Sequence, residues 1–276
     1  MTTDPRILYN RIRKKVEAPD PREETLLMSY NVRYYNDDRD LGDRHWFVRA
    51  KYVLRNIGRL RPDLLSLQEV KPPQYDFFEK HLSGYRSVMT YRDKGEMSEA
   101  CPIYYSTKRY EQLDSGTFWL SETPDVISKS WGSGHCRIST YVKLRDKVDG
   151  RVFTLFNAHP DNRSEEARVR QLGVLADRVA RTEGMVIVTG DFNAPNGDVG
   201  VLPFQQMLRD SKDFTGVVYG ATSLEFGEIA EDDISMAIDH IFLPKDTEMI
   251  ETGSLRDRYD GIYPSDHYPI WAKVKL

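Results

Sequence analysis

Five short stretches of this chain put an acid, an amide or an imidazole beside an apolar run. Ser265-Asp266-His267-Tyr268-Pro269 stands just before the strand-like close Ile270 to Val274. Upstream are Asn31 in Ser29-Tyr30-Asn31-Val32-Arg33, Glu69 in Leu67-Gln68-Glu69-Val70, and Asp191 with Asn193 in Gly190-Asp191-Phe192-Asn193. The fifth is Asp239 in Ile238-Asp239-His240-Ile241-Phe242. Strand ends are where a sheet presents a side chain to a ligand rather than to the core, so the five together propose one polar cleft. His159, in Asn157-Ala158-His159-Pro160-Asp161 just past an apolar run, joins the same edge.

The chemistry follows from the donor types. Glu69 ends the apolar run Leu64-Leu65-Ser66-Leu67, where an unpaired inward carboxylate is costly. A metal ion at the strand end removes that cost; a surface glutamate, or a partner for the helix start after Pro72, is the plainer alternative. Amide and carboxylate oxygens are hard ligands, and with no thiolate or paired histidine nearby they favour Mg²⁺ or Mn²⁺ over Zn²⁺. Gly190-Asp191-Phe192-Asn193 alone also reads as an ordinary turn using its residues' backbone freedom. Its weight comes from the company of Asp239, Asp266 and His267 on one rim.

The elements that must position these residues are legible as periodicities. Thr25 to Asn31 reads as a buried strand, and Trp46, Phe47, Ala50, Val53, Leu54, Ile57 and Leu60 recur at helical spacing until Pro62. Pro72 opens a second helix. From Tyr85 to Phe156 the chain turns to short β-rich pieces, among them Thr117–Leu120, Ser139–Leu144 and Val152–Phe156, the last two joined by the Asp149-Gly150 turn. Ser164 caps a helix running to about Arg181, with Glu165 and Glu166 in its first turn. Strands follow at Met185–Thr189, Ala237–Leu243, Glu248–Thr252 and Ile270–Val274. The expected architecture is one domain over 25–276, with two sheets packed face to face and helices outside them. Residues 1–24, carrying Pro5, Pro19 and Pro21, read as an N-terminal extension, with a helical turn or two around Ile7 to Val16 and little apolar surface.

Composition bounds the partners. The chain has 276 residues, 39 Lys and Arg against 43 Asp and Glu, and a net charge of −4, so the whole molecule carries no electrostatic footprint for a polyanion. Local basic clusters exist at Arg11 to Lys15, at Lys51, Arg55 and Arg59, and from Arg163 to Arg181; the later two read as solvated helix faces. Two cysteines, Cys101 and Cys136, read as free, buried thiols. Neither a signal h-region nor an apolar run of the ~20 residues that span a bilayer is present, and the expectation is a cytoplasmic monomer without a membrane span.

The ordered set of motifs resembles the endonuclease/exonuclease/phosphatase superfamily, the group of deoxyribonuclease I, apurinic endonucleases, inositol-polyphosphate 5-phosphatases, neutral sphingomyelinases and deadenylases. The likeness runs from Thr25 to Leu276 and implies a four-layer α/β sandwich of two mixed sheets flanked by helices. It also implies Glu69 as a metal ligand, with Asn31 in or next to its shell and Asp266 a further metal-side acid. Asp191 looks like the residue that holds or deprotonates the attacking water, and Asn193 like an amide orienting water and phosphate. Asp239 is similar to the acid that fixes the ring of His267, a charged phosphate ligand. His159 and, on the following helix, Arg168 match phosphate-side positions. The activity implied is a magnesium-dependent phosphoesterase acting by in-line attack of water, first on a phosphodiester in a nucleic acid or nucleotide. The alternatives are a phosphomonoester or lipid headgroup, and a non-catalytic binding module. Gly116 to Pro124 and Lys129-Ser130-Trp131 resemble a deadenylase-like branch, with Phe118 and Trp119 as core aromatics or with Trp119 or Trp131 stacking a base at the cleft rim.

Overall fold

The computed structural model describes residues 5–214 and 220–276. Two sheets form its middle. In one, strand β2 (Thr25–Asn31) lies between β3 (Leu64–Gln68), parallel to it, and β14 (Ile270–Lys275), antiparallel; β13 (Glu248–Ser254) flanks β14, and β6 (Ile103–Ser106) and β5 (Tyr85–Val88) extend the other side. The second sheet runs β11 (Arg209–Asp210), β12 (Asp239–Leu243), β10 (Met185–Asp191), β9 (Val152–Ala158), β8 (Ile138–Asp146), β7 (Tyr110–Trp119). Here β9 and β10 are parallel and β12 is antiparallel to β10, setting Asp191 directly opposite Asp239. A short parallel pair, β1 (Val16–Glu17) with β4 (Leu82–Ser83), stands apart.

Period-two alternation divides each strand between two cores. Leu27 and Leu64 face the inter-sheet core with Val142, Leu144, Leu155, Ile187 and Ile241. Their neighbours Met28 and Leu65 face the opposite way, onto helices α2 (Trp46–Leu60) and α3 (Pro72–His81) through Val53, Ile57 and Phe78. On the far side, Phe156, Val188 and Phe242 meet Leu172 and Leu175 of α4 (Glu165–Ala180) and Phe204 of α5 (Leu202–Met207). Helix, sheet, sheet, helix is the four-layer sandwich expected. The Ser164 cap of α4 is present, its hydroxyl accepting from Ala167 N–H at 3.2 Å.

The inter-sheet core changes character along the strands. Toward the carboxyl ends of β2, β3, β9 and β10 it turns polar: Gln68 Nε2 donates to Ser29 Oγ (3.1 Å) and Asn157 Oδ1 (2.8 Å), and Thr189 Oγ1 donates to Ser66 Oγ (2.7 Å). Beyond this belt the strand ends open on the cleft. Gly190 is required there: a Cβ on it would stand 2.1 Å from Ala158 O, so only glycine lets β10 approach β9 this closely.

Three expectations change. The described part of the N-terminal segment packs on the domain, residues 1–4 lying outside the described residues. Its helix, α1 (Pro5–Asn10), is shorter than the Ile7 to Val16 reading; Val16 pairs with Leu82, and Val16 and Ala18 are buried. Tyr9 packs its ring 4.7 Å from Phe47 and 5.3 Å from Phe77, so the segment carries apolar surface after all. Cys136 is half-buried, whereas Cys101 is buried. Trp119 donates its indole N–H to Arg92 O (2.7 Å) and packs on Cys101 and Ile138, which makes it core rather than a stacking platform. Among the described residues no helix is long and apolar enough to cross a membrane.

Candidate active site

Residues separated by more than two hundred positions meet because β2 and β10 end, and β12 begins, at one edge and the segment before β14 arrives there. Asp191 and Asp239 face each other across the β10–β12 ladder. His267 Nδ1 lies 2.9 Å from Asp239 Oδ2, and its Nε2 lies 3.7 Å from Asp191 Oδ2. Among the described residues this trio is the acid and imidazole group whose ligand atoms all lie within 4.8 Å of one another. His159 Nε2 stands 3.5 Å from Asp191 Oδ2 and 3.9 Å from Glu69 Oε1, extending the chain of groups to the end of β3. Asn31 Nδ2 donates to Asp191 Oδ2 at 2.9 Å.

Local backbone holds this arrangement at some expense. Glu69 and Asn193 adopt left-handed conformations (φ 63° and 52°), uncommon for residues with a Cβ and costing on the order of 1–3 kcal/mol each. At Asn193 the turn is fixed by its own N–H donating to Asp191 Oδ1 (2.9 Å) and by its Nδ2 donating to Pro160 O (3.2 Å). Phe192 between them anchors the turn in the α4–α5 core. At Glu69, Oε2 accepts from Tyr34 N–H at 3.0 Å. Asp266 has partners on both oxygens, Ser265 Oγ at 3.1 Å and Arg33 Nη1 at 3.2 Å, and Arg33 also holds Asp40. Arg168 is half-buried on α4 and lies outside the residues lining the cleft.

Electrostatics follow from burial and from crowding. Burial pushes the Asp191 carboxyl up to about 7, with Asp239 adding to the rise and His267 opposing it. Burial alone would lower His267, but the Asp239 and Asp191 carboxylates outweigh it and hold the imidazole well above its ordinary value. His159 is driven well below its ordinary value by burial and then by Arg137 and Arg92, so it is neutral. Burial likewise raises Asp266. Asp239 Oδ1 is buried without a hydrogen-bond partner. An orphaned carboxylate oxygen beside the Asp191 carboxylate, with Glu69 reached through His159, supplies hard oxygen donors of the kind a divalent cation takes, and the donor set fits one.

Sequence reading did not single out the cations around this cluster. Arg33 stands beside Asn31 with no role assigned by the sequence, and Lys71, Arg92 and Arg137 line, with Glu69, Glu99 and Asn162, a cleft of about 670 Å³ running from the site. A lone arginine at a strand start carries no local pattern by which to find it.

The comparisons with known proteins agree with this geometry. The model of the Endonuclease/Exonuclease/phosphatase family matches residues 28–267, and the chain belongs to that family. It is therefore a hydrolase acting on phosphate esters. Uncharacterized protein L388 of Acanthamoeba polyphaga mimivirus is 26% identical over 219 residues, 71% of this chain and 79% of that protein. The endonuclease/exonuclease/phosphatase of Bacteroides vulgatus superposes with a TM-score of 0.83 at 28% identity, covering 92% of this chain and 100% of that one. The mannosyl-6-phosphatase Bt3783 of Bacteroides thetaiotaomicron does so with a TM-score of 0.78 at 28% identity, covering 91% and 100%.

Proposed function

We propose that the protein is a magnesium- or manganese-dependent phosphoesterase whose substrate is a small phosphate ester of nucleotide or sugar size. The observation that carries the reading is the unbroken line Asp239–His267–Asp191, in which one buried carboxylate holds an imidazole and the imidazole faces a second carboxylate. Asp239 fixes the ring and keeps it charged, so His267 offers a cation to the non-bridging phosphate oxygens as negative charge builds on them. Asp191 accepts the proton of the attacking water, its raised affinity for a proton suiting a base near neutral pH. Asn193 and Asn31 orient the water and Asp191 respectively. Glu69, linked to Asp191 through His159, would hold the ion, which supplies further neutralisation of the phosphate and of the leaving oxygen.

Small size is supported by the cleft, whose volume falls within the range of small-molecule sites. The net charge of −4 opposes non-specific polyanion binding, and the Bacteroides neighbour named as a mannosyl-6-phosphatase is in line with a sugar-sized ester. The test is a panel of sugar phosphates, mononucleotides, cyclic nucleotides, inositol phosphates and single-stranded RNA and DNA, assayed with Mg²⁺ and again in excess chelator. Activity confined to small esters and abolished by chelation is expected. Full activity in chelator would remove the metal, and turnover of polynucleotides alone would restore the nucleic-acid substrate first expected from the sequence. Glu69→Gln should weaken Mg²⁺ binding, read by calorimetry, with the melting temperature unchanged.

A further inference from the structure

Arg137 is buried, 4% exposed, immediately before β8. Other buried guanidinium groups among the described residues have carbonyl or carboxylate partners, although the Nε of Arg92 is also without a hydrogen bond. Arg49 donates to the carbonyls of Arg44, Val32, Pro264 and Arg33; Arg109 pairs with Asp146 at 2.8 Å; Arg92 pairs with Glu99 at 2.6 Å. Arg137 differs. Its one hydrogen bond runs from Nη2 to the neutral amide oxygen of Asn162 (3.1 Å), its Nε is buried without a partner, and among the described residues no carboxylate lies within ion-pair distance of it. A buried cation left this way costs several kcal/mol, because water has been removed and nothing has replaced it.

Its surroundings show what would replace water. Arg137 lines the cleft of about 670 Å³ together with Lys71, Arg92, His135 and Arg163. It also lines the small gap that joins this cleft to Glu69 and His159 at the reaction site. The acids nearest the gap are committed: Glu99 to Arg92, and Glu69 at the proposed ion position. Asp161, one residue from Asn162, has Oδ1 taken by the N–H groups of Arg163 and Ser164 and Oδ2 by Ser133 Oγ. Lys71 packs its ammonium 4.4 Å from the Tyr34 ring centroid, held at the mouth of the same cleft. The cleft lining thus joins the cations of Lys71, Arg92, Arg137 and Arg163 with the carboxylates of Asp38, Asp93, Glu69 and Glu99, Asp93 and Glu99 being paired to Arg92, beside the reaction site rather than in it.

We infer that Arg137, with Lys71, Arg163 and His135, forms a subsite for a second phosphate group of the substrate, one that is held and not cleaved. This rests on the phosphoesterase reading and names its substrate class: small molecules carrying two phosphate groups, such as a sugar bisphosphate or a nucleotide with an extra phosphate. A planar guanidinium presenting several N–H donors matches phosphate oxygens two at a time, which a single amide oxygen cannot do. Binding energy from this non-reacting phosphate positions the other one for attack.

The test separates the subsite from the reaction. Inorganic phosphate is titrated calorimetrically into chelator-treated protein, whose reaction site then presents carboxylates that repel it. Wild type should bind it, Arg137→Met should weaken binding by at least about tenfold, and Arg137→Lys should recover part of the loss. Because it removes a charge that nothing compensates, Arg137→Met should not lower the melting temperature in phosphate-free buffer. Phosphate binding that survives Arg137→Met, no binding to wild type, or a fall of several degrees in melting temperature for Arg137→Met would each overturn the subsite. With the catalytic ion restored, glucose 1,6-bisphosphate should have a lower KM than glucose 6-phosphate in wild type, and the advantage should vanish in Arg137→Met. Hydrolysis of neither sugar, with phosphate binding still dependent on Arg137, would strike at the reaction reading and leave the subsite standing.

Discussion

Asp239 and His240 are adjacent on β12, yet the strand's alternation sends them to opposite faces and into two different polar clusters. Asp239 points to the cleft, where it meets His267 and Asp191, keeps one oxygen unpartnered and leaves its neighbours' proton affinities raised. His240 points away, where Nδ1 lies 2.7 Å from Asp210 Oδ2 and Nε2 lies 2.8 Å from Ala194 O. There Lys212 Nζ donates to Ala237 O (3.0 Å) and Asp239 O (2.5 Å) and stands 3.4 Å from Asp210 Oδ2. Burial pushes the Asp210 carboxyl up, but Lys212 and His240 prevail and hold it down at about 2. Both clusters are built from acids and an imidazole at full burial. One is left electrostatically unfinished and faces a ligand; the other is closed by a lysine and faces the frame. Composition and burial do not separate a site from a strut, and the presence or absence of a matching cation does.

The widest separation between the clusters should appear when each loses an acid. His267→Ala and Asp191→Asn should each lower turnover by about 10²–10⁴-fold, the range of general-base and electrostatic contributions. Asp191→Asn should meanwhile keep or raise the melting temperature, since it removes one of two buried carboxylates facing each other across a ladder. Asp210→Ala should do the reverse, costing about 3–5 kcal/mol in denaturant unfolding because it strands Lys212 and His240. Equal stability losses from Asp191→Asn and Asp210→Ala would erase the distinction.

Proton linkage should sharpen the contrast by a smaller amount. Asp210 has its folded pKa depressed, so its stabilisation is present above about pH 4 and is lost as pH falls toward 2. Asp191 has its folded pKa raised to about 7, so in chelator-treated protein the folded state holds a proton the unfolded state has released, and stability falls as pH rises from about 4 to 7. His267, raised as well, adds stability below its unfolded pKa that is lost at higher pH. Burial holds His159 and His240 down, which opposes this trend, so the comparison is between proteins: between pH 4.5 and 7.5 Asp191→Asn should remove a downward contribution that the melting curves of the chelated wild type carry. A wild-type slope unchanged by the substitution would place the raised group elsewhere.

Much of the frame was legible because it is written in local periodicity. The apolar run ending at Gln68-Glu69, the helical spacing from Trp46 to Leu60 and the Ser164 cap each signal themselves within a few residues, and the acids at run ends fell where the strands stop. What escaped is fixed by distant contacts. Strand β7 extends back to Tyr110, seven residues before the expected Thr117, because its central residues are exposed on a sheet edge with a register shift between Gln112 and Asp114, so no alternation marks them. Asp210 and Lys212 come together with His240 only because β11 pairs with β12. Arg137 is ordinary in sequence and unusual only in what does not reach it. The packing of Val16 and Ala18 depends on Leu82, Ser83 and α2, a relation no spacing within the first residues discloses.

The finest division between the clusters is whether the closed one is only a strut, and Lys212 decides it. Its ammonium is the one group of that cluster that touches the backbone of an active-site residue, donating to the carbonyl of Asp239 while it faces Asp210. In Lys212→Met the stem is retained and a buried charge is removed, so the saved desolvation offsets much of the lost pairing and stability should move by about 1–2 kcal/mol, well short of Asp210→Ala. The Asp239 carbonyl loses its donor, however, and the strand end bearing its carboxylate gains freedom to drift from the 2.9 Å contact with His267. Turnover should then fall several-fold, more than KM changes, because His267 meets the phosphate oxygens chiefly as charge builds on them in the transition state. The accompanying readout is the His267 ring itself: its NMR-detected pKa should drop toward the ordinary value in Lys212→Met as the Asp239 carboxylate moves away. A destabilised variant with unaltered turnover and an unaltered imidazole pKa would make the cluster a strut alone.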